Sequence, residues 1–278
     1  MNEVFSLVQG AYGKVVVLEL KHDLVRKSHT QIQFGFWLAG GQCHSKVDDE
    51  VVLYNEKQAV VITPYRSHDL SLSNESEPAI LLMLYINSDW FSDRFAGSGL
   101  LDSNETTQIT CNSEMKFKSW NIMKKIMMHD DGKSLFESEL EFFLKLCLDT
   151  NVKSMAGQKV LLKHRLIDFR LRKVLSYMRE NLSNKNLINS LSKTVGVSRS
   201  RLYELFKKDL ESSPKLMHDC MLLELAIENM AYPECELSSL SKRLGFSSPA
   251  NFSRFFRARM GIAPMSYRKN SMRCMLAN

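Results

Sequence analysis

The sequence predicts an α+β protein of two domains: a β-barrel with a helical hairpin, then an all-α half holding two helix-turn-helix units. Three observations predict it. The first 86 residues break into short β-branched or aromatic runs divided by Gly, Asn, Asp and Ser clusters, the punctuation of a sandwich or barrel. From Ser113 onward apolar residues recur at helical spacing. And Leu191-Ser192-Lys193-Thr194-Val195-Gly196-Val197-Ser198 recurs as Leu240-Ser241-Lys242-Arg243-Leu244-Gly245-Phe246-Ser247, an offset of 49.

In the barrel, residues 1–110, strands are expected at Lys14–Leu20, Ile32–Ala39, Val51–Tyr54, Ala59–Ile62 and Ala79–Ile86. Asn87–Phe95 reads as a short capping helix, and the Gly-, Ser- and Thr-rich Ala96–Thr110 as a loop. Two amphipathic helices, Ser113–His129 and Ser134–Leu148, form a hairpin over 111–152, turning at Asp130-Asp131-Gly132. Its apolar stripes, with Phe117, Trp120, Met123, Met127, Leu140 and Phe143, make it a candidate dimer interface. A polar linker is expected over 153–163, within the run Asn151–Gly157 and beyond.

The last domain, 164–278, opens with a helix over Leu161–Glu180 whose apolar face carries Leu166, Phe169, Leu171, Val174, Leu175 and Met178. The helix-turn-helix units fall at about 187–209 and 236–259, joined by a long helix, Pro214–Met230. In the second unit Leu240 and Leu244 share one helical face and Gly245 supplies the turn. Ser248-Pro249 then starts a helix as N-cap and first-turn proline. Phe252, Phe255 and Phe256 point inward, which turns Asn251, Ser253, Arg254 and Arg257 outward. In the first unit Leu202, Leu205 and Phe206 do the same for Arg199, Ser200, Tyr203, Glu204 and Lys207. Such faces suit recognition of double-stranded DNA: Arg forks onto guanine, Asn pairs with adenine, and lysines grip phosphate. Glu204 repels phosphate, so it either accepts from a cytosine amino group or braces a neighbouring Arg. Lys207, Lys208 and Arg259 read as solvated cations.

Charge supports that division of labour. Residues 159–278 hold 22 Lys and Arg against 10 Asp and Glu, a net of +12, while the rest carries 15 against 21, a net of −6. A polyanion is met by one half only.

The second unit, through Gly245-Phe246-Ser247-Ser248, Asn251-Phe252-Ser253-Arg254-Phe255-Phe256, Gly261-Ile262-Ala263-Pro264 and Tyr267-Arg268, resembles the DNA-binding domain of AraC/XylS-type transcription regulators. The resemblance covers about Arg172–Asn270 and departs from the family at Glu211 and Leu222. It implies a cytoplasmic regulator, an activator, that works with RNA polymerase and as a homodimer through helix packing. Around Thr63-Pro64-Tyr65-Arg66-Ser67-His68 the front of the chain resembles a cupin-like barrel, whose mouth would hold a small-molecule effector between His29, Trp37, Arg66 and His68.

Other classes fit less well. Catalytic residues, cofactors and a metal are not expected, because no His-x-His occurs and His22, His29, His44 and His68 are scattered. A cupin-type metal enzyme on a DNA anchor is the alternative this weakens. An alkyl-transfer DNA repair regulator needs a zinc-holding cysteine cluster that the six dispersed cysteines do not offer. No leader is read at Met1–Gly10, and no membrane partner is expected, since the longest apolar run, Ala79–Ile86, is too short to span a bilayer.

Overall fold

The computed structural model describes residues 2–47, 50–96, 107–128, 133–155, 169–184, 186–210, 212–230, 232 and 234–273. The chain opens with nine strands: β1 (Glu3–Gly10), β2 (Gly13–Leu20), β3 (Leu24–Lys27), β4 (Ile32–Gly40), β5 (Cys43–Val47), β6 (Glu50–Tyr54), β7 (Gln58–Ile62), β8 (His68–Leu72) and β9 (Ala79–Ile86). Helix α1 (Ser88–Arg94) and strand β10 (Thr107–Thr110) follow. The helical part runs α2 (Ser113–Met128), α3 (Lys133–Met155), α4 (Phe169–Glu180), α5 (Leu187–Thr194), α6 (Arg199–Leu210), α7 (Pro214–Met230), α8 (Leu237–Arg243), α9 (Pro249–Met260) and α10 (Pro264–Arg273).

Two antiparallel sheets form the first domain, ordered β1-β2-β9-β4-β7-β10 and β3-β8-β5-β6. The larger sheet is buried on both faces. From β2 and β9, Val16, Leu18, Leu20, Leu81 and Met83 join one core with the smaller sheet. Val15, Val17, Leu82, Leu84 and Ile86 join the other, under α1, α2 and α3. Double burial explains why these two strands read as continuous apolar runs rather than alternating ones. Each such Val or Leu contributes roughly 1.5–3 kcal/mol.

Several strands escaped the sequence reading. In β8, His68-Asp69-Leu70-Ser71-Leu72 alternates fully buried and half-buried residues with polar ones among them, and β1, β3 and β5 are similarly mixed. Within the expected loop Ala96–Thr110, residues 107–110 form β10 against β7, and the remainder from 97 lies outside the described residues. The hairpin's second helix continues to Met155, so 151–155 is helical rather than linker. Its turn, Asp130–Gly132, the rest of the linker and residues 161–168 of the expected entry helix lie outside the described residues.

The two helix-turn-helix units repeat down to individual hydrogen bonds. In the first turn Gly196 N donates to Lys193 O and Val197 N to Ser192 O; in the second Gly245 N donates to Lys242 O and Phe246 N to Ser241 O. Both glycines sit in the left-handed region, at φ 65° and 83°. A Cβ on Gly196 would meet nothing within 4 Å, whereas on Gly245 it would lie 2.8 Å from the Ser183 carbonyl oxygen. Gly196→Ala should therefore cost about 1 kcal/mol from the backbone alone. Gly245→Ala should cost clearly more, because a backbone oxygen cannot swing aside. Chemical denaturation of the two variants measures the difference; equal losses would mean the second turn yields freely.

Candidate nucleic-acid interface and interdomain cavity

Helix α9 is fixed at its start by Ser248, whose Oγ accepts from Asn251 N at 3.2 Å, with Pro249 at the first helical position. Phe252 and Phe256 are fully buried, which sets its rotation and leaves Asn251, Arg254 and Arg257 exposed and Ser253 half-exposed. The exposed side chains are not independent. Asn251 Nδ2 donates to Ser247 Oγ at 2.6 Å, and its Oδ1 accepts from Arg254 Nη2 at 3.1 Å. Both ends of the amide are engaged, so Arg254 is held at the outer face as a ready fork.

Helix α6 is the counterpart. Ser198 Oγ accepts from Arg201 N at 3.1 Å as its cap, and Leu202, Leu205 and Phe206 face inward. Arg199, Ser200, Tyr203, Glu204 and Lys207 line one shallow concavity. The Arg199 guanidinium lies 5.9 Å from the Tyr203 ring centre. Of the two roles open to Glu204, bracing is the one adopted: Arg201 Nη1 donates to it at 2.9 Å. Arg259 corrects another expectation. It is no solvated cation but reaches back to Asp219 at 2.6 Å and to Arg26 O at 3.2 Å, tying α9 to α7 and β3.

That tie belongs to a wider contact. A cavity between the domains is lined by Val4, Val16, Leu18 and Met83 of the barrel and by Leu223 and Ile227 of α7. Its polar part is Lys14, Lys27, Ser28, His29, Tyr85, Glu224 and Arg259. Lys27 Nζ donates to Tyr85 Oη at 3.1 Å, and Lys14 Nζ stands 4.6 Å from the same ring's centre. The lysines are 9% and 8% exposed, and no ion pair within 4 Å joins either to a carboxylate among the described residues. Burial lowers the Lys14 pKa, against the opposing pull of Tyr85 and Glu224. At Tyr85 burial pushes upward, but Lys27 and Lys14 outweigh it and its pKa falls. Two buried lysines and the Glu224 carboxylate thus stand beside an apolar wall.

Of the residues expected to hold an effector, only His29 lines this cavity. His68 is fully buried behind it, Arg66 lies outside the lining, and Trp37 donates from Nε1 to Gly41 O at 3.0 Å. The cavity lies on the inner face of the larger sheet, where Val16, Leu18 and Met83 meet α7. The lysines were unreadable in sequence because Lys14 looks like the polar position of an edge-facing strand. Among the described residues no three His, Cys, Asp or Glu side chains converge as a metal requires.

On the hairpin, Phe117, Trp120 and Met127 are exposed, as are Met128, Leu135 and Phe142. Leu140 and Phe143 are not available to a second subunit: both are fully buried, with Phe143 4.9 Å from the Phe36 ring. Met123 is half-buried against the same core.

Residues 191–270 match the family model described as a helix-turn-helix domain. The raffinose operon transcriptional regulatory protein RafR of Pediococcus pentosaceus is 32% identical over 95 residues, 34% of this chain and 34% of its own length. The lactose operon transcription activator of Staphylococcus xylosus is 28% identical over 92 residues, 33% of each. The chain thus spans about a third of the length of these curated relatives. Among solved structures, apo ToxT of Vibrio cholerae superposes with a TM-score of 0.66 at 15% identity, covering 94% of this chain and 97% of that one. ToxT with an unsaturated fatty acid bound gives 0.62 at 12% identity, covering 95% of each. No helix among the described residues is long and apolar enough to cross a membrane. On the repeated turn, the capped and outward-facing helices and these matches, residues 191–270 are a helix-turn-helix domain of the AraC type, on a chain with the two-domain fold of ToxT.

Proposed function

We propose that this chain is a cytoplasmic, sequence-specific DNA-binding transcription regulator rather than an enzyme. It inserts α6 and α9 into successive major grooves, about 34 Å apart on one face of the duplex. The observation that carries this reading is the Ser247–Asn251–Arg254 chain on the exposed face of α9, which presents a pre-ordered guanidinium to a base edge. The relatives' names, a raffinose operon regulator and a lactose operon activator, favour activation, and with it contact with RNA polymerase.

The regulator is controlled by a small anionic amphiphile in the interdomain cavity. Lys14 and Lys27 supply the charge for its head group and the aliphatic wall receives its tail. The fatty acid bound by ToxT, a neighbour in fold, is a ligand of that chemistry. The regulator also works as a dimer through the hairpin, because Phe117, Trp120, Met127 and Phe142 leave an apolar patch that a second copy would cover.

Three measurements test this reading. Removing the α9 guanidinium with Arg254→Ala should weaken binding to the natural site by about 1–3 kcal/mol and relax preference at one base pair. Equal weakening on scrambled DNA, with a shallower salt dependence, would reassign Arg254 to phosphate. Lys14→Met should raise the melting temperature without ligand, since an unpaired buried cation is replaced by a side chain of similar length. The same variant should lose the further rise that sodium oleate gives the parent; an undiminished rise would place the anion elsewhere. Finally, a Phe117→Glu, Trp120→Glu double variant should sediment as a monomer where the parent is a dimer. A variant that stays dimeric moves the interface away from the hairpin.

A further inference from the structure

The segment from Lys27 to Gln31 makes several of the polar contacts that join the two domains. Ser28 N donates to Cys220 Sγ at 3.1 Å. Thr30 donates to both oxygens of Glu224, from N at 2.6 Å and from Oγ1 at 2.9 Å. His29 O accepts from Tyr65 N at 2.7 Å, and Tyr65, at φ 69°, bonds Arg179 of α4 and packs on the first unit's core. Cys220 and Glu224 lie on α7, which joins the two DNA-binding units. His29 is therefore the centre of a clasp, and what holds its ring holds the clasp.

That ring is held by a chain of polar groups inside the barrel. His29 Nδ1 lies 2.7 Å from Gln31 O and its Nε2 3.0 Å from one end of the Gln33 amide. His68 Nδ1 lies 3.0 Å from Arg66 O, and its Nε2 3.2 Å from the same end of Gln33. The other end of that amide is 3.3 Å from the Tyr54 hydroxyl. Backbone carbonyls can only accept, so both Nδ1 atoms must carry hydrogen. If the amide oxygen faced the two Nε2 atoms, both rings would have to be doubly protonated, two buried cations beside Lys14 and Lys27. With the amide turned, its two N–H groups donate one to each Nε2, and Tyr54 donates to its oxygen. Two neutral rings and one amide then satisfy one another.

We propose that the His29–Gln33–His68 chain is a proton-responsive catch, which keeps residues 28–30 on α7 while both rings are neutral and releases them in mild acid. A proton added at Nε2 meets an amide N–H, and the amide cannot turn for one ring without abandoning the other. The new charge finds little relief. Lys27 and Arg26 of β3, Lys14 of β2, Arg66 and the second imidazole are positive or polar. Tyr85 of β9 and Tyr54 of β6 are phenols, and Glu224, the nearby carboxylate, is already clamped by Thr30. Burial, then the neighbouring lysines, hold His29 near a pKa of about 3 and His68 well below its ordinary value. Burial raises Glu224, which by linkage favours the docked state in acid, so release rests on the two rings.

For a ring exposed on release, the pKa returns to about 6.5, so the docked state has its full advantage above that pH and loses it as the pH falls toward 3. By pH 5 the docking equilibrium should have dropped about thirtyfold through His29 alone.

The test uses the full chain and needs neither DNA nor amphiphile, so its outcome is separate from the regulatory reading. Nitrogen NMR of labelled histidines at pH 7 should find hydrogen on Nδ1 and a bare Nε2 at His29 and His68. Hydrogen exchange at the Ser28 and Thr30 amides, corrected for intrinsic rates, should lose about thirtyfold protection between pH 7.5 and 5 while strand β9 stays protected. His29→Asn keeps a donor toward Gln31 O but cannot titrate, so its protection should not change over that range. Hydrogen on Nε2 of either ring, an unchanged pH response in His29→Asn, or parallel loss across β9 would each overturn the proposal. Should His29→Asn fail to fold, the tautomer measurement on the parent decides alone.

Discussion

Helix α7 is a member of two hydrophobic cores at once, and the arrangement of the rest depends on that. Met217 and Met221 sit in the core of the first unit with Leu202 and Phe206 of α6. Leu222, Leu223, Ala226, Ile227 and Met230 sit in the core of the second unit, which is continuous with the space between the barrel's sheets. A helix buried along several faces has little room to slide, because close-packed interiors switch between arrangements rather than deform gradually. A shift of the barrel on α7 is thereby imposed on both recognition helices together. Cys220 and Glu224, which face residues 28–30, are where the barrel takes hold.

How far the sequence discloses this varies by level. The repeat is legible because each unit needs the same few things: a left-handed glycine, a serine cap and two inward apolar residues four apart. Gly196 and Gly245, Ser198 and Ser248, Phe206 and Phe256 all meet those needs. Strands β2, β4 and β9 are legible because double burial makes them long apolar runs. Strands β3, β5 and β8 are not, since their residues face a core on one side only and carry polar groups even there, and in β1 Ser6 and Gln9 interrupt the apolar residues. His68 and Ser45 are buried polar residues on such strands. The cavity was not legible at all. Lys14 stands between glycine and three valines, and only the docking of α7 over β2 converts that lysine from an exposed cation into a buried one. His29 lines the cavity, whereas His68 lies behind it, and both rings belong to the polar chain through Gln33.

The two recognition helices are built alike and finished differently. On α9 the amide of Asn251 steadies Arg254, and no carboxylate among the described residues pairs with that guanidinium. On α6 Glu204 pairs with Arg201, and Arg199, Lys207 and Lys208 line the same concavity. Exposed pairs of this kind contribute little to stability.

The same electrostatic reasoning links the cavity to the clasp. Lys14 and Lys27 cost stability as long as no anion lies beside them, and a protein keeps such a cost where function needs it. Their charge also bears on the histidines, because each ammonium makes an imidazolium at His29 harder to form. An anion bound at the lysines would cancel part of that field and bring the ring's pKa back toward its ordinary value. Proton and amphiphile would then favour each other's uptake at two sites a few residues apart. This coupling needs no pathway through the protein beyond Coulomb's law across one buried cluster. It places the sensing of charge at the point where the barrel grips the helix shared by both DNA-binding units.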